Sequence, residues 1–276
     1  MGKDILKGRV TRYSIPFFDR GPELRYDTQD DLDRFFITLR TTRSWIVGSV
    51  ALSVASVLSD PPGRSNMNVL SPYGQLQEWH HFLVGICGFV VVSESKCEGA
   101  YLNEGGKFFV FRHPDRQSLH VTITTSARPH ILQLFFAAPN TIQQVAVGAH
   151  HIVMPFPVMT SNQEGVRGWR PTDGAHPAVV VEGHESYKVA SPLPGAVVLH
   201  ESTANWTRAC GEACPAVDRW AHGLKGIGSC SWGGMDGVDA HVDANLRALG
   251  HSRLSFRTGA FCLNEYCVFS GKYKGS

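Results

Sequence analysis

The first regular pattern along the chain is an amphipathic one over residues 27–40. Within it, Leu32, Phe35, Phe36 and Leu39 recur at the three- and four-residue spacing that places side chains on one face of a helix. Residues with N-capping side chains open the segment. The pattern therefore predicts a helix that buries one apolar stripe against a core.

Short segments rich in β-branched and aromatic residues follow, and helical patterns separate the first of them. Strands are predicted at residues 45–47, 67–70, 89–92, 107–112 and 118–124. Helices are predicted at residues 50–58 and 74–86, and the turn-forming residues 113–116 join the last two strands as a hairpin. This order of elements predicts an α/β (α+β) domain built on a mixed sheet that helices flank.

Beyond residue 129 the pattern is less regular. Helices are predicted at residues 130–137 and 141–149. Residues 162–187 are rich in glycine, proline and charge and predict a long loop or short strands, whereas residues 197–199 and the segment 256–270 have the character of strands. The later part of the chain is therefore predicted to be irregular.

The composition fits a folded chain with a sizeable core. The sequence has 276 residues, of which 43% are hydrophobic and 18% are charged. The predicted organisation is an N-terminal segment at residues 1–22, a core at residues 23–160 and a C-terminal extension, packed on that core, at residues 161–276.

Charge and hydropathy narrow the classes of partner. The 26 basic and 24 acidic residues nearly balance, at a formal net charge of +2. The composition therefore has no basic excess that would indicate binding to nucleic acid or to an anionic membrane. The charge-free segment 45–58 is shorter than the about 20 apolar residues that a spanning helix needs, which predicts no membrane partner. Residues 1–10 do not have the pattern of a secretory signal, and we therefore expect an intracellular protein, cytoplasmic or nuclear.

The seven cysteines favour reduced thiols or metal ligands over disulfides, because their number is odd and the chain is expected to be intracellular. Cys210 and Cys214 have the spacing of half a zinc site, and Cys230 and His222 could complete a tetrahedral set. The second half of this set has no cysteine pair. Packed thiols that bind no zinc are therefore the alternative.

One arrangement of residues carries a resemblance. A strand that ends in Val47-Gly48-Ser49 precedes a helix, and the next strand opens with Asn66-Met67-Asn68. After an amphipathic helix, this order resembles the nucleotidyltransferase superfamily, in which a Gly-Gly or Gly-Ser turn is followed by two acids, one residue apart, and by a third acid on a later strand. Uncharacterised fungal proteins with a degenerate form of that fold have blocks similar to residues 66–72, 121–126, 210–215 and 223–234.

The resemblance implies a nucleotidyltransferase-like mixed sheet that has lost its catalytic acids. In active members the acids hold magnesium ions, which neutralise a triphosphate. Asn66 and Asn68 stand at the first two acid positions, and Thr122 lies on the strand expected to carry the third. The implied function is a pseudoenzyme that binds or scaffolds an unknown protein partner and needs no cofactor. Gly48 and Ser49 could retain weak binding of a nucleoside triphosphate at a helix N-terminus.

Two alternatives remain open at this point. An active nucleotidyltransferase could recruit Asp60, Glu94 or Asp115 to hold magnesium. A zinc-stabilised interaction module would instead depend on the cysteines near the C-terminal end. Hydrolase chemistry has no support, because the sequence has neither a Gly-x-Ser-x-Gly elbow nor a cysteine in a recognisable nucleophile context.

Overall fold

An eight-stranded mixed sheet with helices packed on both faces is the centre of the computed structural model. This architecture confirms the α/β class. The structure describes residues 8, 10, 11, 14, 25–55, 66–97, 105–116, 118–138, 141, 143–161, 164–166, 188–190, 219–220, 227–231, 249 and 255–256.

The first four helices follow the predicted order and differ mainly in length, whereas the fifth was not predicted. They are α1 (Arg25–Thr41), α2 (Gly48–Ala55), α3 (Leu76–His80, continued by a π-helical segment His81–Ile86), α4 (Leu132–Phe136) and α5 (Pro157–Ser161). The helices predicted at residues 27–40 and 74–86 are thus confirmed, the second with a change of helix type at its middle. The predicted helix at residues 130–137 is present as the shorter α4.

The strands belong to one large sheet and two small ones. In chain order they are β1 (Trp45–Val47), β2 (Asn66–Ser71), β3 (Val90–Lys96), β4 (Gly105–Arg112), β5 (His120–Ser126), β6 (Ala146–Val147), β7 (His151–Met154), β8 (Glu164–Val166), β9 (Lys188–Ala190), β10 (Arg219–Trp220), β11 (Gly228–Ser231) and β12 (Ser255–Phe256). The large sheet has the order β11-β7-β6-β1-β2-β5-β4-β3, while β8 pairs with β9 and β10 pairs with β12.

The middle of the large sheet combines antiparallel and parallel pairs. β1 runs antiparallel to β2, and β2 runs parallel to β5. β4 pairs antiparallel with both β5 and β3, so the predicted hairpin at residues 107–124 is confirmed. The parallel pair between β2 and β5 is possible because α3, β3 and β4 form the long crossover that such a pair requires.

Alternate residues of β1 serve two hydrophobic cores, one on each face of the sheet. Ile46 packs with α1, α2 and α3 in the larger core, together with residues of β2, β4 and β5. Trp45 and Val47 pack in the second core, which includes α4 and the buried Leu249. This division follows from the two-residue period of a strand, which sends successive side chains to opposite faces.

The predicted helix at residues 141–149 is wrong. Residues 146–147 form β6, which pairs with both β1 and β7. Alanine and glutamine in this segment favour a helix, but Val145, Ala146 and Val147 are fully buried and β6 supplies the hydrogen-bonding partner on the open side of β1. The pairing across the sheet therefore decides the structure here.

Some predictions fall outside the part of the chain that the structure describes. The strand predicted at residues 197–199 and all of segment 256–270 except its first residue are among them. Within residues 162–187, the described strand β8 agrees with the interpretation as a loop or short strands.

Candidate functional site

Gly48 lies directly against the side chain of Asn68. It follows the last residue of β1, Val47, which pairs with Asn68 on β2. The backbone of Gly48 has φ +70°, and a Cβ atom at this position would stand 2.8 Å from Nδ2 of Asn68. Both the conformation and the contact require glycine. The turn at Gly48 and the pair of asparagines, which the sequence separates by eighteen residues, are therefore neighbours.

Asn66, Asn68 and Thr122 form one hydrogen-bonded cluster. Asn68 and Thr122 are register partners on the parallel strands β2 and β5. The amide Nδ2 of Asn66 donates to Oδ1 of Asn68 at 3.1 Å, and the hydroxyl of Thr122 donates to the same oxygen. Both lone pairs of that oxygen are therefore used. The carbonyl Oδ1 of Asn66 is buried and accepts no hydrogen bond within the described part of the chain.

The next row of residues on this face contains His120 and Arg112. His120 pairs with Asn66 across β2 and β5, and Arg112 pairs with His120 across β5 and β4. Nε of Arg112 donates to Nε2 of His120 at 3.0 Å, and both residues are half-buried. Because residues two apart on a strand share a face, this row lies beside the Asn68–Thr122 pair. The cluster therefore has a guanidinium at one side.

Arg112 was not predicted as a site residue from the sequence. The predicted hairpin nevertheless indicates the position of Arg112. Pairing residues 107–112 with residues 118–124 brings the end of the first strand opposite the start of the second. His120 belongs to the same predicted strand as Thr122, residues 118–124, but the sequence does not give the hairpin register that sets Arg112 opposite it.

Ser49 occupies the start of α2, next to Gly48, and is half-buried. Its backbone carbonyl accepts a hydrogen bond from the hydroxyl of Ser53 at 2.8 Å. No acidic residue lies in the first turn of this helix. Its free N–H groups therefore meet no carboxylate from their own turn.

The carboxylates considered as substitute metal ligands lie in different places. Glu94 is on β3, where it forms an ion pair with Lys107 on the face of the larger core, and two strands separate β3 from β2. That separation is about 14 Å at the usual strand spacing. Asp115 is exposed in the turn between β4 and β5, at the same end of the sheet as Asn66. Asp60 lies outside the described residues.

The predicted zinc ligands are only partly within the described ranges. Cys230 lies half-exposed on β11, whereas Cys210, Cys214 and His222 are outside those ranges. In the described part of the chain, no three His, Cys, Asp or Glu side chains group together as metal ligands would. The zinc site thus stays a prediction. Burial raises the pKa of the Cys97 thiol, which disfavours the nucleophilic thiolate there.

Comparison of the chain with protein-family models, with curated proteins and with solved structures gives no match. Among the residues that the structure describes, no helix has the length and apolar character needed to cross a membrane. The geometry of the cluster around Asn68 is therefore the basis for assigning a function.

Proposed function

We propose that the chain is a catalytically degenerate protein with a nucleotidyltransferase-like domain, which acts as a binding or scaffolding module and retains at most weak affinity for nucleoside triphosphates. One observation carries the proposal. Asn66, Asn68 and Thr122, which the resemblance aligns with three catalytic acids, converge beside Gly48 in a cluster of neutral side chains.

The order and pairing of the elements support the comparison with a nucleotidyltransferase. A helix, a strand that ends at a positive-φ glycine, a second helix and a second strand follow one another as the superfamily pattern requires. The third position then lies on β5, a direct neighbour of β2, in register with Asn68. Three carboxylates at these positions would be near enough to share a metal ion.

The side chains present do not fit a magnesium pair. Magnesium is bound through carboxylates and water, whereas this cluster offers two amides and one hydroxyl. Two unit charges about 4 Å apart attract each other with about 4 kcal/mol at an effective dielectric constant of about 20, and neutral ligands lose this attraction. The carbonyl oxygen of Asn68 already accepts two hydrogen bonds.

An active enzyme that recruits other carboxylates is the second candidate. Asp115 favours it, since this exposed residue lies at the same end of the sheet as Asn66. Glu94 does not, because it faces the other core and pairs with Lys107. A second ligand would have to come from residues such as Asp60, which the structure does not describe.

The test is the thermal unfolding of the purified protein with each ribonucleoside triphosphate, in magnesium and in EDTA. A ligand at about 100 times its Kd stabilises a protein by about 2.7 kcal/mol. We expect any shift in Tm to be the same with and without magnesium. The matched control is the triple variant Asn66→Asp, Asn68→Asp, Thr122→Asp, which restores the acids.

In the triple variant we expect a shift in Tm that requires Mg²⁺ or Mn²⁺, because three carboxylates would then converge on one point. If the variant folds but gains no metal affinity, the geometry does not correspond to a nucleotidyltransferase site. If the wild-type protein itself shows a magnesium-dependent shift and forms transfer products, it is an enzyme, and the proposal of a pseudoenzyme fails. Metal analysis of the same preparation tests the zinc hypothesis.

A further inference from the structure

Arg112 carries a half-buried positive charge next to the neutral cluster. Its Nε donates to Nε2 of His120, which is an uncharged acceptor in this contact. None of the carboxylates in the described ranges pairs with its guanidinium, and the same strand shows the contrast, since Lys107 pairs with Glu94. Removing a charge from water without an opposite charge is costly. A half-buried guanidinium that pairs with no carboxylate in the described ranges is therefore expected to attract an anionic ligand.

The groups around Arg112 are mainly hydrogen-bond donors. Because Nε2 of His120 accepts a bond, its ring carries the proton on Nδ1, which is a donor. The amide Nδ2 of Asn68 lies at the start of α2, beside Gly48, where the first-turn N–H groups of the helix are free of intrahelical partners. These donors and the guanidinium share this end of the sheet with the carbonyl Oδ1 of Asn66 and with the exposed carboxylate of Asp115 in the turn between β4 and β5.

The same face of the sheet changes character along the strands. Towards the other end, Trp45, Leu70 and Leu134 fill the second core. At the end with Asn66 and His120, the side chains that β2 and β5 place on this face are polar; Asn66, Asn68 and His120 are half-buried and Thr122 is buried. The donors thus form a local patch beside an apolar region, as in binding sites where a few polar groups orient a ligand.

We propose that this patch binds the phosphate chain of a polyphosphate ligand directly, with Arg112 supplying positive charge that divalent ions supply in active nucleotidyltransferases. This inference rests on the proposed function. It names the groups that would bind the phosphates in the weak triphosphate binding proposed there. Arginine suits this role because its planar fork of N–H groups matches phosphate oxygens.

The extent of the patch favours several phosphates over one. It begins at Gly48, beside β2, and ends at Arg112 on β4, and β5 lies between these two strands. The spacing from β2 to β4 is about 10 Å. A chain of phosphates can contact both ends, whereas a single phosphate reaches one. We therefore expect tripolyphosphate to bind more tightly than orthophosphate.

The experiment is calorimetric titration of the full chain with tripolyphosphate in EDTA at low salt. The test variant is Arg112→Gln. The matched control is Lys107→Gln, which removes the same charge from the same strand but on the opposite face. We expect Arg112→Gln to raise Kd at least tenfold, about 1.4 kcal/mol, and Lys107→Gln to change it less than twofold.

Two further titrations, one with a charge-retaining variant and one with ATP, complete the experiment. Arg112→Lys retains the charge and should bind between wild type and Arg112→Gln, which guards against a folding defect in one variant; circular dichroism checks each fold. ATP bound more tightly than tripolyphosphate would identify a nucleotide as the ligand, and equal affinities would identify the phosphate chain alone. Both results support the site.

The inference is overturned if tripolyphosphate does not bind without metal, or if Arg112→Gln and Lys107→Gln weaken binding equally. Failure of the proposed function gives a different result, because it would be seen as a lack of metal binding in the triple variant Asn66→Asp, Asn68→Asp, Thr122→Asp. Metal binding by that variant, with no polyphosphate binding by wild type, would leave the proposed function in place and remove the anion site.

Discussion

Gly48 shows how one residue can fix the geometry of the candidate site. Its φ of +70° lies in the left-handed region, and its missing side chain leaves room for the amide of Asn68. Gly74 has a similar φ of +80°, but no atom lies within 4 Å of the position that a Cβ would take. Substituting alanine at each glycine therefore separates the free-energy cost of the backbone conformation, which both positions share, from the cost of the steric contact at Gly48.

We expect Gly48→Ala to destabilise the protein more than Gly74→Ala. The left-handed conformation costs a non-glycine residue about 1–2 kcal/mol at either position. At Gly48 the contact with Asn68 adds about 1 kcal/mol or more, because the amide must move and its hydrogen bonds with Asn66 and Thr122 are disturbed. Free energies of unfolding from urea titrations measure both changes. Equal losses would mean that Asn68 shifts at no cost.

At the scale of elements, a buried network of hydroxyl groups joins α3 to the sheet. The hydroxyl of Ser44, just before β1, accepts a hydrogen bond from Nε1 of Trp79 at 2.9 Å and donates to the hydroxyl of Ser71 at 3.1 Å. Thr42 lies 2.8 Å from the same oxygen. These residues are fully buried, so each bond has no competing water. Ser44 therefore connects the end of α1, β2 and α3.

We expect Ser44→Ala to cost about 1–3 kcal/mol of stability, because the indole N–H of Trp79 loses its buried acceptor. Combining Ser44→Ala with Trp79→Phe should cost less than the sum of the two, by about 0.5–3 kcal/mol. Ser53→Ala is the control, since among the described residues that buried hydroxyl bonds only to the carbonyl of Ser49 in its own helix. Additive losses in urea unfolding would contradict the network.

The sequence predicts correctly those elements that depend on residues close together along the chain. The apolar stripe of α1 and the turn between β4 and β5 lie within short stretches of sequence, and both were predicted. The strand β6 was predicted as a helix because its partner Ile46 lies about a hundred residues away from Val147. Nothing in the segment itself records that pairing.

The candidate site divides in the same way. Asn66, Asn68 and Thr122 were identified through a resemblance that specifies their order along the chain. Their hydrogen bonds depend on the parallel register of β2 and β5, which the order does not give. Arg112 joins the cluster only through the register of the hairpin, in which a shift of one residue would turn it to the opposite face.

At the scale of the whole molecule, β1 belongs to both hydrophobic cores. Ile46 packs on one face of the sheet, and its neighbours Trp45 and Val47 pack on the other. Because a strand cannot unfold on one face alone, loss of packing in either core should destabilise the strand that both share. The two cores are therefore expected to unfold together.

We expect Leu39→Ala in the larger core and Leu134→Ala in the second core to lower the Tm of one common transition. Both side chains are 0% exposed, and such truncations cost about 2–5 kcal/mol. The Tm should fall by roughly 2–4 °C for each kcal/mol in a chain of this size. Ile37→Ala, on the same helix as Leu39 but 49% exposed, should change Tm little. Scanning calorimetry makes the comparison, and a second transition that Leu134→Ala alone shifts would show that the cores unfold independently.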